Sequence, residues 1–106
     1  EALEQVDILV SATAPFPAPK HTDLTATFED ADDVRTRFFF KRSYTSCYPL
    51  AALPAISLPG GFTADNLPIG LQLGARPFAE ETLLRVGHAY EQATTWHQRL
   101  APEAQR

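Results

Sequence analysis

The run IGLQLGA at residues 69–75 constrains the fold more than any other part of the chain. Ile69, Leu71, Leu73 and Ala75 alternate with Gly70, Gln72 and Gly74, the period of two that sends successive side chains to opposite faces of a strand. One face is apolar and the other is nearly bare. Glycine weakens a strand interior, so two glycines on the bare face predict that another backbone or a helix packs closely above it.

A partner strand precedes it in LPAISLPGGF, residues 53–62. Residues 55–58 read as a short strand ended by Pro54 and Pro59, neither of which can donate a ladder hydrogen bond, with a turn at Gly60 and Gly61. The loop 59–68, carrying Asp65, Asn66 and Pro68, is longer than a tight hairpin turn, but an antiparallel pair of neighbours is the simplest assignment. Upstream, the apolar run from Val6 to Val10, broken by Asp7, predicts a buried strand. Prolines at 15, 17 and 19 then make an extended connector.

Two helices complete the pattern. Thr27 and Asp30 resemble a capping box, Asp32 and Asp33 lie near the positive helix start, and Arg35, Arg37, Lys41 and Arg42 lie towards the other end. This charge order predicts a helix over about 28–45, ending before Pro49, whose ring biases Tyr48 away from helical geometry. Phe38, Phe39 and Phe40 spread around that cylinder and require cover on more than one side, some of it from outside this chain. The last segment repeats Ala79, Leu83, Val86, Tyr90, Ala93 and His97 at three and four residues, with Glu80 and Glu81 at its start and Arg99 near its end, before Pro102 stops it. Gly87 is its weak point, to be offset by close packing against a sheet. The order strand, helix, strand, strand, helix contains no repeat and predicts one mixed α/β unit.

Composition limits the function. A chain of 106 residues supports only a modest core, and net charge −4 without a long basic run argues against direct nucleic-acid binding or an anionic membrane surface. The single Cys47 can form neither an internal disulfide nor a structural zinc site, which favours a reducing, cytoplasmic setting. The first residues lack the pattern of a signal peptide, and no apolar run approaches the roughly 18 residues of a membrane span. The absence of any methionine, including a starting one, leads us to expect a chain that begins inside a longer protein.

The search for chemistry is largely negative. His21 lies in the proline connector, while His88 and His97 fall on opposite sides of the last predicted helix and make no ligand pair. Cys47 has no neighbouring base, and Ser43, Ser46 and Ser57 have no legible His-Asp constellation. Asp30, Asp32 and Asp33 lack calcium-loop spacing, and Gly60-Gly61 lacks the Lys-Ser/Thr of a phosphate loop. The loop 59–68 remains as a candidate pocket wall. The residues therefore predict no catalytic, cofactor-binding or metal-binding residue in this chain, and no cofactor.

The ordered set DILV with Thr13 and Pro15, then LPAISLPGGF, LPIGLQLGARPFAEETLL and AYEQ, resembles the C-terminal part of the amidase signature family. Pro54 and Ala55 match the family's Pro-Ala before a strand, Pro59 and Gly61 its turn, Leu67 to Leu73 its Leu-Pro-Ile-Gly-x-Gln-Leu run, and Phe78, Glu80 and Leu84 the opening of its closing helix. Ala12, Pro49, Ala52 and Asn66 depart from the pattern, standing where the family commonly has proline, asparagine, glycine and glycine.

The resemblance implies that residues 1–106 are the C-terminal fragment of an α/β/α amidase-like domain with a mixed sheet. It also implies hydrolysis of carboxamide C–N bonds through a Ser-Ser-Lys acyl-enzyme mechanism. The catalytic region would lie outside this chain, since Lys20, Lys41 and Ser57 match no part of its motif. The expected partners are the N-terminal remainder of the same domain and a small amide substrate, with self-association left open. The alternatives are an amidotransferase component that passes ammonia from glutamine onto a charged transfer RNA, and a catalytically silent binding or structural domain.

Overall fold

The computed structural model describes residues 2–20 and 44–101. Helix α1 (Ala2–Gln5) leads into strand β1 (Ile8–Ala12), followed by α2 (Cys47–Leu50), β2 (Ala55–Phe62), β3 (Pro68–Ala75), α3 (Glu80–Ala93) and a short 3-10 turn at Trp96–Gln98. The strands form one sheet in the order β1-β3-β2, with both pairings antiparallel. The described chain is thus a mixed α/β fold with a small antiparallel sheet, and the mixed sheet expected from the resemblance is not present in these three strands.

Register explains the core. Val10 and Ile56 both stand opposite Leu73, and Leu58 stands opposite Leu71, so the apolar residues of three strands share one face. Helix α3 covers that face. Leu58, Leu73, Ala75 and Leu83 are buried together, with Ile8, Ile56, Leu71, Ala79 and Tyr90 packed around them. Burying a leucine such as Leu83 contributes roughly 1.5–3 kcal/mol. Gly87 is buried against Leu58 and Ile56, which is the close helix–sheet approach expected at the helix's weak point.

The bare face of β3 is covered as well. Tyr48, only 6% exposed, lays its ring over Gly74, where any Cβ would overlap the ring outright. Gln72, only 3% exposed, donates from Nε2 to the Tyr44 carbonyl at 3.1 Å and to Ser11 Oγ at 3.3 Å. At the far end of β3, Arg76 Nε donates to the Leu3 carbonyl and Nη2 to Asp7 Oδ1, both at 2.7 Å, fastening α1 to the sheet.

Several boundaries differ from expectation, each for a local reason. Strand β1 starts two residues later than Val6, because Asp7 turns aside to Arg76. Strand β2 does not stop at Pro59. It runs to Phe62 through a bulge between Pro59 and Gly61, and an edge strand tolerates a missing N–H. The loop 59–68 therefore shrinks to residues 63–67. Tyr48 and Pro49, expected to lie beyond a helix, sit inside α2, where the first turn needs no intrahelical N–H. Residues 44–45 form a bend rather than the end of the helix predicted over 28–45, whose other residues lie outside the described ones.

Helix α3 ends at Ala93 instead of continuing to Arg99. Thr94 is extended (φ −135°, ψ 166°), its Oγ1 donates to the Tyr90 carbonyl at 2.9 Å, and Thr94-Thr95 is a poor pair for propagating a helix. His88 and His97 accordingly belong to different elements. Two departures from the family pattern fall on positive φ. Ala52 (φ 53°) and Asn66 (φ 63°) hold the left-handed conformation that glycine adopts freely and asparagine tolerates. Phe78 (φ 62°) shares it while 96% exposed.

The two close glycines give opposite expectations. Gly74→Ala should destabilise by about 1–3 kcal/mol through collision with Tyr48. Gly87→Ala should stabilise by about 0.4–1 kcal/mol, because the new methyl meets Leu58 and Ile56 at 3.5–3.8 Å, ordinary contact distance. Denaturant unfolding of both variants checks the pair of signs.

Candidate functional site

The polar face of the sheet carries the closest approach of reactive side-chain types. Thr13, just beyond β1, is held by a backbone bond from its N–H to the Gly70 carbonyl at 2.9 Å. Ser57, on β2, stands opposite Gln72. Their hydroxyls meet at 2.6 Å across the central strand. Gly70 makes this bridge possible, since a Cβ there would lie 2.6 Å from Thr13 Oγ1 and 3.2 Å from Ser57 Oγ.

Beside this pair lies a cleft of about 500 Å³, walled by the connector Ala14–Pro19 on one side and by Thr63, Pro68, Ile69 and Gly70 on the other. Its lining is apolar apart from Thr63, a surface suited to the body of a small organic group. The hairpin end that forms one wall is internally braced. Thr63 N–H donates to the Leu67 carbonyl at 2.9 Å, Leu67 N–H to Thr63 Oγ1 at 3.0 Å, and Asn66 N–H to the Thr63 carbonyl at 2.9 Å. A second cleft of about 480 Å³ opens on the other side of the same hairpin, sharing Pro68. The segment 59–68, singled out as a pocket wall, thus contributes residues to both clefts.

Chemically, Thr13 and Ser57 are neutral hydroxyls joined by one hydrogen bond in which either can donate. The described contact of Ser57 is another hydroxyl rather than an imidazole, amine or carboxylate that would activate it. Cys47 is exposed, and its thiol donates to the Tyr44 carbonyl at 3.5 Å. His88 is exposed on α3, and His97 lies in the 3-10 turn beside the second cleft. His21, Asp30, Asp32, Asp33, Lys41 and Ser43 lie outside the described residues. Among the described residues there is no group of three or more His, Cys, Asp or Glu side chains able to hold a metal ion, and no helix long and apolar enough to cross a membrane.

Sequence reasoning misses the Thr13–Ser57 bridge and the role of Tyr48. The glycines at 70 and 74 signal that something lies above them, but nothing local in the sequence says which side chain it is. It also misses the contact of Arg99 with Asn66 and Phe62, because periodicity and charge carry the last helix to Arg99 whereas α3 ends six residues earlier. A double-mutant cycle with Thr13→Val and Ser57→Ala tests whether the hydroxyls act as one bond. The two substitutions together should cost less than the sum of the single losses, with a coupling of about 0.5–1.5 kcal/mol.

The sequence of these elements matches a known family. The family model described as Amidase matches residues 1–84. Similar proteins include a glutamyl-tRNA(Gln) amidotransferase subunit of Geobacter metallireducens, 42% identical over 101 residues that make up 95% of this chain and 19% of the relative. The protein of the same name from a Synechococcus species is 43% identical over 99% of this chain and 19% of its own length. A Pseudomonas putida protein named Amidase is 39% identical over 93% of this chain and 21% of its own length. The chain therefore spans about one fifth of the length of these relatives. A family match across both clefts' hairpin and the opening of α3, together with identities near two in five along nearly the whole chain, places this protein in the amidase family.

Proposed function

We propose that residues 1–106 form the C-terminal part of an amidase domain in the amide-cleaving component of an amidotransferase, which releases ammonia from glutamine for transfer onto a charged transfer RNA. The observation that carries this reading is the 42% identity, over 95% of the chain, to a glutamyl-tRNA(Gln) amidotransferase subunit. In this reading the acyl-transfer chemistry, with a Ser-Ser-Lys centre forming and hydrolysing an acyl-enzyme, belongs to residues outside this chain. The present residues supply the three-stranded sheet and the braced hairpin at 63–67, with the apolar cleft along Ala14–Pro19 as a wall for the substrate. Its partners would be the remainder of the amidase domain and the other components of the transferase. A cytoplasmic setting fits the single Cys47, which has no disulfide partner.

A second reading is favoured by the 39% identity to the Pseudomonas putida amidase. Here the same scaffold serves a hydrolase of small carboxamides that releases ammonia to water. The test is ammonia release by the full-length protein, purified with any partner chains that accompany it, from glutamine and from a simple carboxamide, each with and without glutamyl-tRNA plus ATP, which activates the glutamyl carboxylate and carries its oxygen away as phosphate. The transferase reading expects glutamine cleavage that rises when glutamyl-tRNA is added, with glutaminyl-tRNA formed. Hydrolysis of the simple amide without response to the tRNA would replace it with the hydrolase reading. No ammonia from either substrate would overturn both and leave a silent scaffold.

A further inference from the structure

The second cleft combines aromatic rings with a guanidinium. It opens between the hairpin and the 3-10 turn, with Phe62, Asn66, Trp96, His97 and Arg99 among its walls. The Phe62 and Trp96 rings stand 6.2 Å apart between centroids and are inclined at 59°. The guanidinium of Arg99 lies 4.0 Å from the Phe62 centroid and donates through Nη2 to Asn66 Oδ1 at 2.9 Å. Stacking engages the flat face of a guanidinium and leaves its edge N–H donors for a planar anion. Asn66 accepts one of the five. The group that aims the cation is itself pinned, because the Asn66 backbone is bonded to Thr63 within the hairpin.

Charge supports the same conclusion. No Asp or Glu is among the described residues lining this cleft, although the chain as a whole carries net charge −4. A cation held beside tilted aromatic rings, with no Asp or Glu among the described lining residues, is complementary to a carboxylate carried on a flat apolar body. We propose that this cleft binds a small aromatic carboxylate, with the carboxylate on the edge of Arg99 and the ring against Trp96 and Phe62. This site shares only Pro68 with the apolar cleft along Ala14–Pro19 and does not depend on the amidotransferase reading.

The probe is benzoate, titrated into the whole isotope-labelled protein while the indole N–H resonance of Trp96 is followed. A Trp96→Phe variant assigns that resonance. Benzoate should shift it saturably, with neutral benzyl alcohol and inorganic phosphate binding roughly tenfold more weakly or worse. Arg99→Gln should weaken benzoate by a similar factor and leave benzyl alcohol unchanged, in a protein that remains folded. Should Arg99→Gln fail to fold, Arg99→Lys keeps the charge, loses the planar fork, and should still weaken benzoate severalfold. The absence of a saturable shift, phosphate binding as tight as benzoate, or benzoate affinity unchanged in the folded Arg99 variant would each overturn the proposal.

Discussion

The described structure depends on one steric condition, the absence of side chains at Gly70 and Gly74 on the central strand. Because β3 presents almost nothing on that face, side chains from both flanking segments can close over it. Tyr48 fills the space at one end, and Thr13 and Ser57 join hands at the other. Between them Gln72 is the one long side chain, and it is buried with its amide bonded to Ser11 and the Tyr44 carbonyl. A buried amide without partners would cost about 1–3 kcal/mol, so these contacts make the polar layer tenable. The opposite face is conventional by comparison: leucines, isoleucines and a helix.

Periodicity is legible wherever a single element decides it. The alternation from Ile69 to Ala75 assigns both faces of β3 correctly, and the glycines on one of them announce a close neighbour. The three- and four-residue spacing identifies α3 and its buried Leu83. Hidden from the sequence are contacts between distant segments, such as Thr13 with Ser57, forty-four positions apart. Local rules also misplace boundaries where tertiary pairing overrides them. Pro59 reads as a stop, yet on an edge strand its missing N–H breaks no ladder bond to another strand. Thr94 stops a helix that charge patterning alone extends to Arg99.

The surface bears on the relation to longer proteins. Val10, Leu50, Phe78, Leu84 and Leu100 are all more than half exposed, and the relatives matched are about five times the length of this chain. Exposed apolar side chains on the sheet edge, α2 and α3 are what a segment of a larger domain would present. The hairpin at 63–67 is the opposite kind of feature. It is bonded within itself and anchored by Arg99, and it divides two clefts of similar size. A braced hairpin of that kind holds Thr63 at the edge of one cleft and Asn66 at the edge of the other.

The packing of Tyr48 on Gly74 has a consequence for how such a sequence changes over generations. A side chain at position 74 and an aromatic ring at position 48 exclude each other in space. The two positions lie in different elements, twenty-six residues apart, yet they cannot drift independently. A lineage that enlarges residue 74 first passes through a misfit, whereas one that first shrinks residue 48 passes only through a cavity that a later, larger residue 74 can fill. The order of substitution, and not just their final combination, is therefore written into this contact.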